Sequence, residues 1–298
     1  MDIKNILKLI GNTPLIKLKQ ASEITECNIY GKAEYFNPGE SVKDRAALFI
    51  VENAIKNKQI QKGGIVVEGT AGNTGIGLAV VTKAYGLSLK IVIPNTQSVE
   101  KKQTLKDLGA ELIEVDAVPY TNPNNYIKQS KKIAENLFGS NKNGVLWANQ
   151  FDNTVNSEAH IKTTAKEIWT QTAGQIHGFV CAVGTGGTLA GVSIGLKEKN
   201  KNIKIALADP MGSSLYSHIK FNKLENYGNS ITEGIGTARI TKNFAKALVD
   251  DAFQVSDEEA LNIIFKLKED QNIGLGGSSG INIAGAIKLA KQLGPGHN

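Results

Sequence analysis

Short apolar runs alternate with amphipathic segments along most of the chain, which is the pattern of strands followed by helices. Strands are predicted where β-branched and apolar residues cluster, over 65–68, 89–93, 111–115, 145–148, 178–183 and 203–208. Helices are predicted at helical spacing of apolar residues, over 46–55, 74–85, 98–108, 124–138, 153–170, 188–199 and 279–293. Strands that alternate with helices in this way predict parallel sheets with helices on both faces.

Three further stretches complete the predicted elements. Residues 28–35 are rich in β-branched and aromatic side chains and are predicted to form a strand. Ser256 and Glu259 have the spacing of a capping box, which opens a helix that runs through Lys268. Residues 209–239 show no clear periodicity. Irregular connections of that length inside a domain tend to be functional.

Composition and charge exclude several classes of protein. At 298 residues, with 41% hydrophobic and 21% charged residues, the chain is expected to be a soluble globular protein of two lobes. No run is long and apolar enough to span a bilayer, and the charged start lacks a signal-peptide core. The net charge of +6 comes from scattered lysines, whereas nucleic-acid binding needs concentrated charge. Such a surface instead favours small anionic substrates.

The cysteine content indicates the compartment. Cys27 and Cys181 are the only cysteines, so they cannot build a disulfide framework, and they lack metal-ligand spacing. We therefore expect a cytoplasmic protein without a metal site.

Lys43 is the first candidate for chemistry because it falls in the first turn of the predicted helix after the Asn37-Pro38-Gly39 turn. Ser41 is the expected N-cap of that helix. The positive end of the helix dipole and the neighbouring Arg45 favour loss of the lysine proton, which suits a Schiff-base nucleophile. Taken alone, the position is also compatible with an ordinary surface lysine.

Three glycine-rich turns follow predicted strands, at the end of a parallel sheet where ligands bind. The turn 184–188, Gly-Thr-Gly-Gly-Thr, has the glycines, hydroxyls and helix start of a phosphate site. The turn 70–75 suits a carboxylate, although Asn73 or Thr74 could simply cap the next helix. The third turn, 276–280, contains serines that could also be caps. An anion site, a carboxylate site and a nucleophilic lysine together indicate a phosphorylated aldehyde cofactor that handles amino acids.

A dinucleotide site is the competing interpretation of the 184–188 turn. Gly184 and Gly186 match the first two glycines of the dinucleotide fingerprint, and Asp209 ends the next strand near the expected ribose-binding position. Leu189 occupies the place of the third glycine, which disfavours NAD. A tight turn without any ligand is a further alternative.

Taken together, the motifs resemble those of the cysteine synthases (O-acetylserine sulfhydrylases), which are tryptophan-synthase-β-like, fold type II pyridoxal-phosphate (PLP) enzymes. The resemblance covers nearly the whole chain, in the family's order, through segments 37–45, 68–77, 149–151, 184–188, 233–236 and 277–280. It implies an α/β fold of two lobes, each a twisted, mostly parallel sheet flanked by helices, with PLP in the cleft between them. The smaller, mobile lobe with the substrate loop would be 40–150. The larger, phosphate-binding lobe would be 1–39 plus 151–298.

The resemblance also implies roles for individual residues. Lys43 would bind the cofactor covalently and shuttle the substrate's α-proton, Asn73 would bond the phenolic oxygen, and Ser278 would face the pyridine nitrogen. The phosphate would be held by Gly184, Thr185, Gly186, Gly187 and Thr188. The substrate would be contacted by Thr70, Ala71, Gly72, Thr74, Gln150 and Gly234. Ala71 stands where the family commonly has serine, which leaves the substrate preference open.

The implied reaction is a PLP-dependent β-replacement that makes L-cysteine from O-acetyl-L-serine and sulfide and releases acetate after a lyase-like β-elimination. Cystathionine β-synthase and an O-phosphoserine-dependent cysteine synthase are alternatives within the class. An NAD-binding oxidoreductase and a regulatory partner with a degraded site are more remote.

The resemblance further implies a homodimer, with serine acetyltransferase as a partner of some members and no nucleic-acid or membrane partner. Arg239 is expected near the site entrance, where it would attract an anionic substrate group or remain a solvated loop charge.

Overall fold

The protein divides into two compact units, described here from a computed structural model that covers residues 3–70 and 72–298. The first unit runs up to Thr13 and resumes over Glu34–Ala159. The second contains Pro14–Ala33 and His160–Asn298. Within the described residues, none of the helices combines the length and apolar character that a membrane crossing requires.

The described strands and helices follow one another in the alternation that the sequence predicts. In chain order the strands are β1 (Leu15–Lys17), β2 (Tyr30–Lys32), β3 (Ile65–Gly69), β4 (Ser88–Pro94), β5 (Glu111–Val115), β6 (Val145–Trp147), β7 (Gly178–Cys181), β8 (Lys204–Pro210) and β9 (Asp251–Val255). The helices are α1 (Lys19–Thr25), α2 (Lys43–Lys56), α3 (Asn73–Tyr85), α4 (Val99–Asp107), α5 (Tyr126–Leu137), α6 (Val155–Lys162), α7 (Thr164–Gln171), α8 (Gly187–Lys199), α9 (Leu215–Phe221), α10 (Asp257–Gln271) and α11 (Gly277–Leu293). Short 3-10 segments occupy Ile3–Leu9, Glu34–Phe36 and Phe244–Lys246.

The first unit is built on a parallel sheet in the order β5-β4-β3-β6. Alternate residues of β3 face opposite sides, so that Val66 packs in one cluster with Leu78 of α3 and Val67 packs in another with Ala134 of α5. Because helices cover both faces, β3 is apolar up to Glu68. Val67 also pairs with Trp147, which brings the carboxyl ends of β3 and β6 side by side.

The second unit contains a parallel sheet in the order β7-β8-β9, and β1 pairs with β2 in an antiparallel ribbon. Helix α11 packs closely on the parallel sheet, because a Cβ added at Gly285 would lie 2.6 Å from the Cβ of Ala208. The prediction of a mixed α/β protein with parallel sheets flanked by helices is therefore confirmed.

Three predicted segments differ from the structure, and one observed strand was not predicted. The strand predicted over 28–35 is limited to β2, because Glu34 begins a 3-10 turn in which Asn37 Nδ2 donates to the Glu34 carbonyl oxygen at 2.9 Å. The helix predicted over 153–170 is interrupted at Thr163, whose ψ of −77° with φ of −121° is not helical. The irregular stretch 209–239 includes α9, and β9 has no counterpart in the prediction.

Candidate active site

Lys43 is the first residue of α2, so the structure places it at a helix start, as the sequence predicts. Its side chain is half-buried. The N-cap is Val42 rather than the predicted Ser41, but the Ser41 hydroxyl accepts a hydrogen bond from the Lys43 backbone N–H at 3.3 Å. The backbone of Lys43 is thus held by the residue two positions before it.

Asp44 fixes the start of α2 against two neighbouring segments. Its carboxylate is fully buried and accepts the Gly39 backbone N–H at 2.5 Å. A Cβ added at Gly77 of α3 would lie 3.1 Å from Asp44 Oδ1, so α3 passes directly over this carboxylate. Burial raises the pKa of Asp44 to about 6. The turn that precedes Lys43 is therefore held in place by a hydrogen bond to Asp44, the next residue in the sequence.

Arg45, two residues after Lys43, forms an ion pair with Glu34, in which Arg45 is buried and the Glu34 side chain is 14% exposed. Arg45 donates from Nε to Glu34 Oε2 and from Nη2 to Glu34 Oε1, both at 2.8 Å. Burial alone would raise the pKa of Glu34, but the hydrogen bonds and charge of Arg45 outweigh it and hold that pKa below its usual range. The guanidinium also donates to Thr13 Oγ1 at 3.1 Å.

The turn before α3 leaves its polar side chains available for roles other than capping. Gly72 is the N-cap of α3 and makes no side-chain cap bond, so the interpretation of Asn73 or Thr74 as a cap is wrong. Asn73 is exposed at the first helical position, whereas Thr70 and Thr74 are buried. Thr70 Oγ1 accepts the Gly72 N–H at 3.2 Å. The predicted contact of Ala71 lies outside the described residues.

Thr74 and Gln150 meet although they are far apart in sequence. Thr74 Oγ1 donates to Gln150 Oε1 at 2.5 Å, and both side chains are buried. Asn156 Nδ2 donates to the Gln150 carbonyl oxygen at 2.8 Å and so holds the backbone of this turn. The first unit therefore brings together two of the residues predicted to contact substrate.

Glu68 lies beneath this pair, and sequence reasoning did not single it out. It is 1% exposed, and its carboxylate accepts hydrogen bonds from the Gln150 side chain and from the backbone N–H groups of Asn149 and Gln150. Burial raises the pKa of Glu68 to about 8 in spite of these bonds. The Gln150 amide is thereby oriented, with its nitrogen toward Glu68 and its oxygen toward Thr74. The sequence feature that could have identified Glu68 is its position as a charged residue at the end of a strand that is otherwise apolar.

Replacing Glu68 with glutamine is expected to change how stability depends on pH. The pKa of Glu68 is raised from 4.5 to about 8, so its protonated form contributes stability that is full below pH 4.5 and is lost as the pH rises through 8. Within that window the loss reaches about 1.4 kcal/mol per pH unit. Urea unfolding between about pH 5 and 8 should show that the free energy of unfolding of wild type falls relative to that of Glu68→Gln as the pH rises. A difference between the two proteins that stays constant with pH would contradict the assignment.

The 184–188 turn has the geometry of an anion site at the start of α8. Gly186 is the N-cap with φ +86°, and a Cβ there would lie 2.6 Å from Phe244. A Cβ at Gly184 would overlap the carbonyl oxygen of Gly234. Thr241 Oγ1 donates to the Thr185 carbonyl oxygen at 2.6 Å and supports the turn from behind. Packing against Gly234 and Phe244 thus requires glycine twice. Helix α8 begins at Gly187, whose N–H donates to Thr185 Oγ1 at 3.3 Å, and the start of a helix favours an anion such as a phosphate.

The predicted segment 233–236 of the second unit lies against this turn, and the start of α11 lies near that segment. The Gly236 N–H donates to the Val183 carbonyl oxygen at 2.8 Å, next to Gly184. A Cβ at Gly277 would lie 2.9 Å from Thr232 Cγ2, so the start of α11 contacts the same loop. Ser278 is half-buried in the first turn of α11, whose N-cap is Gly276. The serines of this turn are therefore not the N-cap.

Asp209 is the residue that a dinucleotide site would use to bind the ribose, and Arg239 is the residue expected near the site entrance. Asp209 is fully buried, and its Oδ2 accepts the Tyr216 N–H at 2.7 Å at the start of α9. Burial raises the pKa of Asp209 to about 6. Because the Asp209 carboxylate is fully buried, a ribose cannot reach it, which removes the support for NAD. Arg239 is half-buried, and its role stays a prediction.

Comparison with known proteins places the chain in a family. A family model described as "Pyridoxal-phosphate dependent enzyme" matches residues 6–298. Cysteine synthase 1 of Neurospora crassa is 48% identical over 298 residues, covering 98% of this chain and 78% of the relative. Cysteine synthase 1 of Emericella nidulans is 47% identical over 299 residues, covering 99% and 80%. The crystal structure of a hydrogen sulfide-producing enzyme from Fusobacterium nucleatum is 34% identical, covers 97% of this chain and 93% of its own, and gives a TM-score of 0.84. The chain belongs to the pyridoxal-phosphate dependent enzymes, as the resemblance of its motifs to cysteine synthases implies.

Proposed function

We propose that this protein is a cysteine synthase, which replaces the acetate of O-acetyl-L-serine with sulfide to give L-cysteine. The observation that carries the proposal is the 2.5 Å hydrogen bond between Thr74 Oγ1 and Gln150 Oε1. It brings together two of the residues that the resemblance assigns to the substrate, in the unit that also contains Lys43. Relatives that are named cysteine synthase at 47% and 48% identity support the same reaction.

When bound, PLP withdraws electrons from the substrate's α-carbon, which acidifies the α-proton and lets the β-substituent leave. Lys43 would be the residue that holds the cofactor covalently. Once its amine is released, it would take the substrate's α-proton, acetate would leave with its bonding electron pair, and hydrosulfide would add to the β-carbon. Lys43 would return the proton to the α-carbon and would hold the cofactor again after cysteine is released.

The remaining cofactor contacts are proposed for individual residues. Gly184, Thr185, Gly186, Gly187 and Thr188 would hold the phosphate through N–H groups, hydroxyls and the dipole of α8. Ser278 would face the pyridine nitrogen, and Asn73 would donate to the phenolic oxygen. A neutral hydroxyl at the ring nitrogen suits an elimination, because the ring need not become a full electron sink. The position of this turn at the N-terminus of α8 supports the phosphate assignment.

The substrate contacts are proposed to come from Thr70, Gly72, Thr74 and Gln150, with Gly234 in a loop that closes over the substrate. Gly234 has φ +76° and is exposed, which suits a segment that changes conformation. We retain the proposal that residues 40–150 form a smaller mobile lobe. A cytoplasmic homodimer and an association with serine acetyltransferase are proposed on the family resemblance alone.

The substrate assignment is tested by comparing three reactions of the PLP-loaded protein. The kcat/KM for cysteine formation from O-acetylserine and sulfide is expected to be the highest. It should exceed the kcat/KM for O-phosphoserine and sulfide, and that for cystathionine formation from serine and homocysteine, by at least about tenfold. A preference for O-phosphoserine would overturn the choice of acetylated substrate. In that case Arg239→Ala should lower O-phosphoserine turnover selectively, because it removes the cation that is predicted near the site entrance.

A further inference from the structure

A buried histidine that the sequence did not single out contacts the proposed phosphate turn. His160 lies in the last turn of α6 and is 2% exposed. Its Nε2 lies 3.2 Å from Thr188 Oγ1, and its Nδ1 lies 2.9 Å from Thr164 Oγ1. All three residues belong to the second unit. The imidazole therefore connects the hydroxyl at the start of α8 with the hydroxyl at the start of α7.

The direction of these hydrogen bonds follows from the needs of the buried hydroxyls. Thr164 is 3% exposed, so its hydroxyl hydrogen needs an acceptor inside the protein, and His160 Nδ1 is within reach. If Nδ1 accepts, the ring proton is on Nε2, and Nε2–H donates to Thr188 Oγ1. The hydrogen of Thr188 is then directed to another acceptor. In the opposite tautomer, the Thr188 hydroxyl would donate its hydrogen to His160 Nε2. The Thr188 oxygen would then present only lone pairs to an anion.

We propose that His160 is a positioning residue that makes the Thr188 hydroxyl a hydrogen-bond donor to the cofactor phosphate. The inference rests on the proposed function, since it takes the 184–188 turn as the phosphate site. That turn contains only glycine and threonine, so N–H and hydroxyl donors must carry the recognition within it. An oxygen that presented a lone pair to the phosphate would repel it, which is why the orientation of one hydroxyl matters.

The experiment measures the dissociation constants of PLP and of pyridoxal, which lacks the phosphate, for the apoprotein and its variants. His160→Asn places a nitrogen near the position of Nδ1 only. It is expected to weaken PLP binding about tenfold and to leave the affinity for pyridoxal unchanged. The separate reference variant Thr188→Val is expected to have the same effect. His160→Gln places an amide nitrogen near Nε2 and is expected to stay within about threefold of wild type. The phosphorus NMR signal of bound PLP should shift in His160→Asn and not in His160→Gln.

Thr172→Val is the matched control, because the Thr172 hydroxyl donates to the Ile168 carbonyl oxygen at 2.9 Å at the far end of α7. It should leave the affinity for PLP unchanged. If His160→Asn does not fold, Thr164→Val replaces it. That variant removes the donor that fixes the tautomer, and it is expected to weaken PLP binding about threefold. Unchanged affinity in Thr164→Val would then overturn the inference.

The outcomes separate the inference from the function on which it rests. Weaker PLP binding in Thr188→Val but not in His160→Asn would overturn the role of His160 and leave the phosphate site standing. Unchanged PLP binding in both would show that the 184–188 turn is not the phosphate site. Equal weakening of PLP and pyridoxal in His160→Asn would mean that the histidine acts on folding rather than on the phosphate, and the inference would fail.

Discussion

Lys43→Ala is expected to lower cysteine formation by at least about a thousandfold, because the side chain is proposed both to hold the cofactor and to move the α-proton. The visible absorbance of lysine-bound PLP should disappear in the same variant. Steady-state turnover with O-acetylserine and sulfide, together with an absorption spectrum of the PLP-loaded protein, measures both effects.

Lys56→Ala is the control for Lys43→Ala. Lys56 is exposed in the last turn of the same helix, so its removal changes the charge of α2 without touching the proposed chemistry. This variant should keep wild-type turnover and absorbance. A Lys43→Ala protein that matched it in both readouts would show that Lys43 has no catalytic role.

Arg45→Ala is expected to lower the free energy of unfolding of the first unit by about 3–5 kcal/mol. The substitution leaves the Glu34 carboxylate, whose side chain is 14% exposed, without its bidentate partner. Urea unfolding followed by Trp147 fluorescence in a Trp169→Phe background reports on this unit, since these are the protein's two tryptophans and Trp147 lies in β6.

Glu135→Ala supplies the comparison for the Arg45 result. It breaks the Lys131–Glu135 pair, which is 3.6 Å long and about half exposed on both sides, and it leaves Lys131 in place over the Trp147 ring. Exposed pairs of this kind contribute about 0–1 kcal/mol, so the unfolding midpoint should hardly move. If Arg45→Ala cost as little as Glu135→Ala, the Arg45–Glu34 pair would not be what fixes the segment before Lys43.

The sheets were predictable because each central strand carries its own signal. β3, β4 and β8 are covered on both faces, so each reads as an apolar run bounded by turn residues. The capping box of Ser256 and Glu259 is local chemistry and appears as predicted. β9 was missed because its burial is uneven, with Ala252 and Val255 buried and the residues between them only half-buried.

The candidate site was predictable only where a local pattern carries it. The helix start at Lys43 and the glycine turn at 184–188 depend on residues adjacent in sequence, and the structure has both. The contact of Glu68 with Gln150 and that of His160 with Thr188 join distant segments, so no local periodicity reveals them. Parallel pairing of β3 with β6 creates the first of these contacts. The polar residues that orient the site therefore needed the tertiary structure.

Covalent attachment of PLP to Lys43 is tested most directly by reducing the PLP-loaded protein with borohydride, digesting it and mapping the modified peptide by mass spectrometry. Reduction makes the bond between the cofactor's aldehyde carbon and a lysine nitrogen permanent. We expect the phosphopyridoxyl group on the peptide that contains Lys43. A group found on a different lysine, or on none, would contradict the proposed active site.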